Sequence, residues 1–197
     1  MNPRAVVFLA LRVPGGLAHE LMQRATGSLG GDRALRHYRL ARVEGLHLTL
    51  FYLGDTARAG LESLCGHVRP AVQAVPRPVL RLGGGGGFPR RGRERVLWMG
   101  ADEAPESGGG LASLRDAVLR AVSAFGVDTR EESTRPFVPH ITLARPRRGN
   151  PDVPGAFYAF ELDGTWSPEA VELIESVRGA GAAVYRTLEE FPLADPE

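Results

Sequence analysis

One short pattern is written twice in this chain. His47-Leu48-Thr49-Leu50 and His140-Ile141-Thr142-Leu143 are both H-x-T-x with aliphatic x, and their histidines lie 93 residues apart in a chain of 197. That separation is close to half the length, so a duplicated half-domain is expected, each half placing one copy on a strand. Side chains alternate along a strand, which puts His and Thr of each copy on one face and the aliphatic pair on the other. The aliphatic face belongs to the core. Each strand then turns an imidazole and a hydroxyl outward, and two such strands side by side form a cleft with two His and two Thr. A lone His in a β-pattern is ordinarily a hydrogen-bonded structural residue, and duplication lifts this pair above that reading. His19, His37 and His67 lack such a partner and are expected at the surface or in packing.

The length suits one compact unit or two lobes sharing one core, taken here as a single bilobal domain over 1–197. With 43% hydrophobic residues, 24% charged and a net charge of +1, a real core is expected and disorder is not. The balance argues against a protein that coats nucleic acid by bulk charge, while leaving room for a local basic patch. All 24 basic residues are Arg, which excludes a Lys nucleophile or a P-loop Lys. A single Cys65 forbids an internal disulfide. No segment approaches the roughly 20 apolar residues of a membrane helix, and the run from Ala5 to Leu11 is short and stopped by Arg12, unlike a signal peptide. A soluble, cytoplasmic protein with no membrane association is expected.

Along the chain, Ala5 to Leu11 reads as a buried strand ended by Pro14-Gly15-Gly16. Leu17, Leu21, Ala25 and Leu29 mark a helix stopped by Gly30-Gly31. Arg39 to Val43 and Leu46 to Leu53 read as β segments joined tightly at Glu44-Gly45. A helix is predicted over 61–75, kinked or divided at Pro70. Pro78 to Leu82 and Arg95 to Ala101 read as a long hairpin, with Gly83 to Gly87 as a flexible connection. After Gly108-Gly109-Gly110, a third helix carries Leu111, Leu114, Val118, Val122 and Phe125 and stops at Gly126. Strands are predicted at 138–145, 156–162, 171–177 and 184–188, so the class is α+β with mostly antiparallel pairing.

The two H-x-T motifs are the signature of the 2H phosphoesterase superfamily, and the chain resembles its bacterial RNA 2′,3′-cyclic phosphodiesterases, also called 2′-5′ RNA ligases. The likeness extends to Phe8-Leu9-Ala10-Leu11 with Pro14, Leu53-Gly54, Gly87-Phe88-Pro89 before Val96-Leu97-Trp98, Arg135-Pro136-Phe137, Ala144-Arg145, and Val171, Leu173, Ser176 and the stretch from Gly181 to Tyr185. Gly45 stands where the family commonly has Asn, and Phe51 where it often has a basic residue. The resemblance implies a bilobal duplicated fold, two mostly antiparallel sheets facing a central cleft with helices outside. It implies hydrolysis of an RNA 2′,3′-cyclic phosphodiester to a 2′-phosphomonoester, with His47 as acid and His140 as base.

Opening a cyclic phosphodiester needs a base for water and an acid for the departing ribose oxygen, roles that two His near pKa 6.5 can hold at neutral pH. Thr49 and Thr142 hydroxyls are expected to donate to the non-bridging oxygens, with Arg145 as the first choice of cation and Arg135 as the second. Arg90, Arg91 and Arg93, in a predicted loop with Arg95, are candidate RNA-backbone contacts, and Phe88 and Phe51 are further candidate RNA contacts. A second basic cluster, Arg145, Arg147 and Arg148, carries the same reading. Neither motif offers a further ligand at short spacing, so no metal and no other cofactor is expected. The expected partner is RNA with 2′,3′-cyclic phosphate ends, or cyclic nucleotides, acted on by a monomer. Two rival readings stay open: reversible 2′-5′ RNA ligation, and a non-catalytic module that only binds RNA ends.

Overall fold

The computed structural model describes residues 3–107, 110–149, 151–177 and 183–195. In chain order its elements are β1 (Arg4–Arg12), α1 (Gly15–Ser28), α2 (Ala34–His37), β2 (Tyr38–Leu40), β3 (His47–Ala57), α3 (Leu61–Gln73), β4 (Leu80–Phe88), β5 (Val96–Glu103), α4 (Gly110–Ala124), α5 (Arg130–Thr134), β6 (His140–Pro146), α6 (Gly155–Ala159), β7 (Ala170–Val177) and β8 (Val184–Pro192). The class is α+β.

The strands run β4-β5-β6-β3-β1-β7-β8, with β2 also paired to β6, and every pair is antiparallel. The two halves, β3-β1-β7-β8 and β2-β6-β5-β4, meet through the single residue pair Leu48↔Ile141. The two expected sheets are thus four-stranded halves of one eight-stranded sheet, and each contributes its motif strand at the seam. One face carries the main core: Leu9 and Leu11 of β1, Leu48 and Leu50 of β3, and Ile141 and Leu143 of β6 are all buried there. Leu64, Val68 and Val72 of α3 and Leu114, Val118 and Val122 of α4, spaced four apart, add their apolar stripes to the same core. On the opposite face, Phe8, Ala10 and Ile174 form a small second cluster with Tyr185 against it.

Several local expectations are corrected. Arg39 to Val43 and Leu46 to Leu53 do not form a hairpin, because β2 pairs with β6 and Val43–Gly45 is a single 3₁₀ turn. Pro70 does not divide α3, which runs unbroken from Leu61 to Gln73. Both Pro70 and Gly66, whose carbonyl loses its helical donor, are exposed, so the lost bond falls on the solvent side of the helix and not in the core. The segment predicted as a strand over 156–162 begins as α6, which sinks the fully buried Phe157 under β4.

The glycine run is the most instructive correction: Gly83 to Gly87 are strand residues of β4, hydrogen-bonded to β5. A Cβ on Gly85 would lie 1.9 Å from the Phe157 carbonyl oxygen, on Gly86 2.2 Å from the Trp98 ring, and on Gly87 2.1 Å from Glu94 Cγ. Glycine is there because other groups occupy the space a side chain would need. Gly84, with φ +67, takes the left-handed conformation at the bulge beside it. Of the C-terminal stretch that carried part of the resemblance, Gly181 and Ala182 lie outside the described residues. So do Gly108 and Gly109 of the loop before α4.

Candidate active site

The two motifs are built alike down to an irregularity in their backbones. Along β3, Thr49 pairs with Ala10 and Phe51 with Leu9, so Leu50 is an inserted residue. Along β6, Thr142 pairs with Trp98 and Ala144 with Leu97, so Leu143 is inserted at the same point. A bulge reverses the alternation beyond it. In each copy two consecutive residues, Leu50-Phe51 and Leu143-Ala144, therefore point into the core. The residues after them, Tyr52 and Arg145, return to the face that carries the histidines. Simple alternation put Phe51 beside His47 and Thr49; the bulge buries it, and Phe51 is a core residue with no access to RNA.

His47, Thr49, His140, Thr142 and Arg145 come together on the walls of one open cleft of about 590 Å³. Each imidazole is anchored in the same way: His47 Nδ1 lies 2.7 Å from the Gly45 carbonyl oxygen and His140 Nδ1 2.7 Å from that of Val138. A carbonyl oxygen only accepts, so both Nδ1 atoms carry the proton and donate it. Both Nε2 atoms keep a lone pair for the cleft. Rings brace both imidazoles: Phe8 at 4.7 Å and Tyr185 at 4.9 Å for His47, Phe88 at 4.9 Å and Trp98 at 5.9 Å for His140.

Burial dominates the electrostatics. It drives His47 down to about 4; the hydrogen bond to Gly45 and the Glu172 carboxylate oppose the fall, while Arg12 and His140 add to it. His140 is also lowered, first by burial and then by Arg145, against its bond to Val138. With both imidazoles lowered, both rings are neutral at neutral pH. An anionic substrate between them reverses this by favouring imidazolium.

The other sequence-predicted residues divide clearly. Arg145 lines the cleft and directly faces Arg39 across the β2–β6 ladder; Arg42 lines it too, and none of the three has a carboxylate partner among the described residues. Arg135 is exposed at the end of α5, 3.6 Å from Glu131 and 3.9 Å from Glu132, and does not line the cleft. Arg90, Arg91 and Arg93 do not line it either. Arg91 stacks 4.2 Å over Tyr158, and Arg93 borders a separate shallow hollow. Phe88 packs edge-on to His140, so it supports the imidazole instead of standing free for a base. Among the described residues no three His, Cys, Asp or Glu side chains cluster as metal ligands, and no helix is long and apolar enough to cross a membrane.

Sequence reasoning missed Tyr52, Tyr185, Arg39 and Arg42. Tyr52 was within reach: it follows His47 by five residues as Arg145 follows His140, so laying the two copies over each other finds it. The arginines of β2 carry no such signal, because only the pairing of β2 with β6 brings them to the cleft.

A cleft at the seam of two half-sheets, with one H-x-T strand from each, defines a 2H phosphoesterase. The chain belongs to the 2′-5′ RNA ligase superfamily, whose family model matches residues 13–180. A relative from Thermus thermophilus, named RNA 2′,3′-cyclic phosphodiesterase, is 32% identical over 95% of this chain and 89% of its own length. One of that name from Geobacillus stearothermophilus is 29% identical over 89% of this chain and 54% of its own. Among solved structures, TT0787 of Thermus thermophilus superposes with a TM-score of 0.81 at 26% identity, covering 98% of this chain and all of that one. E. coli LigT in complex with 3′-AMP shares the fold, with a TM-score of 0.73 at 24% identity over 98% and 99% of the two chains.

Proposed function

We propose that this protein hydrolyses RNA 2′,3′-cyclic phosphodiesters to 2′-phosphomonoesters by metal-independent acid–base catalysis. The observation that carries the reading is the pair of matched imidazoles, each held through Nδ1–H and each offering Nε2 to the same cleft. The names of the relatives from Thermus and Geobacillus supply the substrate class.

In this reading His140 Nε2 takes a proton from water as the water oxygen bonds to phosphorus. The bond from phosphorus to the 3′ oxygen breaks, and His47, protonated once the anionic phosphate is bound, delivers its Nε2 proton to that oxygen. The two histidines stand on opposite sides of phosphorus, as in-line displacement requires. Arg145 beside His140 favours the neutral base; around His47 the Glu172 carboxylate is opposed by Arg12 and by burial, so it is the bound anionic phosphate that supplies the charge favouring a protonated acid. Thr49 and Thr142 hydroxyls donate to the non-bridging oxygens, and Arg145, which has no carboxylate partner among the described residues, neutralises their charge. Arg39 and Arg42 extend the basic wall along which the polynucleotide approaches. The site works as one unit within a single bilobal domain.

The deciding experiment incubates an RNA ending in a 2′,3′-cyclic phosphate with the protein in EDTA and reads the product by phosphorus NMR. A 2′-phosphate formed at full rate is expected. Loss of turnover on chelation, restored by zinc or manganese, overturns the metal-free mechanism, and a 3′-phosphate overturns the regiochemistry. Tight binding with no turnover would make the protein a non-catalytic RNA-end module. With water at roughly 55 M, joining to a 5′-hydroxyl end is expected only when the two ends are held together.

A further inference from the structure

Beneath His47, outside the cleft wall itself, lies a polar group of residues that the H-x-T motif does not include. Arg12 of β1 is the cross-strand neighbour of His47, and Glu172 of β7 that of Ala10. Arg12 Nε donates to both carboxylate oxygens of Glu172, at 3.2 and 2.9 Å; one Nη donates to Thr187 Oγ1 at 3.2 Å and the other to the Glu44 carbonyl at 2.9 Å. Thr187 Oγ1 donates in turn to Glu172 Oε2 at 2.6 Å. Glu172 is only 9% exposed. Taking an ion pair this far from water is costly, and hydrophobic packing would hold the strands as well or better. The other half of the molecule shows that the fold does not demand it: the residue paired with His140 is Gly100, with β4 glycines and the Trp98 ring alongside.

The geometry points to Arg12 and Glu172 as a positioning pair for His47, setting the orientation of its ring and the charge beneath it. Orientation runs through the turn: Arg12 fixes the carbonyl of Glu44, and the next carbonyl, of Gly45, receives the Nδ1 proton of His47. Gly45 has little slack, since a Cβ there would stand 3.0 Å from the Tyr185 ring. Charge runs through space, because Arg12 disfavours and Glu172 favours a proton on His47. The other charged or titratable groups that share the cleft with the ring are His140 and Arg145 of β6, Arg39 of β2, Arg42 and Glu44 of the turn, Tyr52 of β3 and Tyr185 of β8. Neither Arg12 nor Glu172 lines the cleft. The inference rests on His47 being the acid of the proposed reaction, but its charge half is read without any reaction.

The test is NMR titration of the His47 ring in Arg12→Met, Glu172→Gln and the double variant, together with the pH–rate profile on a cyclic phosphate. Removing the cation should move the His47 midpoint up, removing the anion should move it down, and removing both should bring it back towards wild type. Opposite shifts from two changes that both loosen the same strands are not what a plain structural clamp produces. Arg12→Lys should keep the midpoint near wild type yet lose roughly 10- to 100-fold in kcat with a smaller change in KM, because an ammonium cannot span Glu172, Thr187 and the Glu44 carbonyl together. Shifts of the same sign, or no shift, overturn the proposal. If Arg12→Met does not fold, Glu172→Gln carries the test alone, and an unmoved midpoint overturns it. Failure of the wild type to turn over cyclic phosphate would overturn the proposed function and leave the titration result standing.

Discussion

The two halves carry the same motif on the same bulged strand, yet the ground beneath each histidine differs. Under His47 lie a buried carboxylate, a guanidinium and a hydroxyl; under His140 lie glycines and an indole. The residue after the bulge differs as well, being the neutral Tyr52 in one half and the cationic Arg145 in the other. The repeated motif therefore supplies two equivalent imidazoles, and their surroundings make them unequal. A reaction that needs one proton donor and one acceptor gains from that inequality, because two identical histidines would titrate together and share both roles.

The largest expected effect tests whether the two roles are distinct. His47→Ala and His140→Ala should each lower turnover of a cyclic phosphate by about 10²- to 10⁴-fold. On an activated diester with a nitrophenol leaving group, which needs no proton, His47→Ala should recover much of its rate and His140→Ala should not. Equal recovery, or none in either, would erase the acid–base distinction between the halves.

A smaller effect separates the residues beyond the bulges. Arg145→Gln should cost roughly 10²-fold in kcat, the scale of one charge-stabilising donor lost from a developing anion. Tyr52→Gln should leave kcat almost unchanged and raise KM a few-fold. Steady-state kinetics on one substrate compare the two directly, and a kcat loss at Tyr52 equal to that at Arg145 would make the halves functionally symmetric after all.

The smallest effect concerns stability. The ordinary His value is near 6.5, and burial takes folded His47 to about 4. Above pH 6.5 the ring is neutral in both states and contributes no pH dependence. As pH falls from about 6.5 to 4 the unfolded chain takes up a proton that the folded chain resists, so stability is lost across that window. The open cleft lets water screen part of the effect, which leaves about 2 kcal/mol. Denaturant unfolding at pH 7 and pH 4.5 should show this loss in wild type and a shallower one in His47→Gln. An unchanged slope in that variant would remove His47 as its source.

The sequence made some elements plain and hid others for physical reasons. The helices Gly15–Ser28, Leu61–Gln73 and Gly110–Ala124 were legible because each lays an apolar stripe on the core at helical spacing. The motif strands were legible through period-two burial. The glycine strand was not, because glycine reads as a breaker unless one knows that Phe157, Trp98 and Glu94 fill the space beside it. The helix at Gly155–Ala159 was missed because a short apolar run fits either state until Phe157 finds its pocket.

By itself the sequence determined the α+β class, the duplication and the pairing of His47 with His140 through Thr49 and Thr142. These are local patterns: spacing decides which side chains share a face, and a repeat written twice declares its own symmetry. Only the tertiary structure decided that Phe51 is buried and Tyr52 is not, because a bulge is a property of two strands in register. Only it moved Arg39 and Arg42 to the cleft, turned Arg135 and the Arg90–Arg93 loop away from it, and placed Arg12 and Glu172 beneath His47. Charges act through space, and residues 160 positions apart in the chain become neighbours only after the strands have paired.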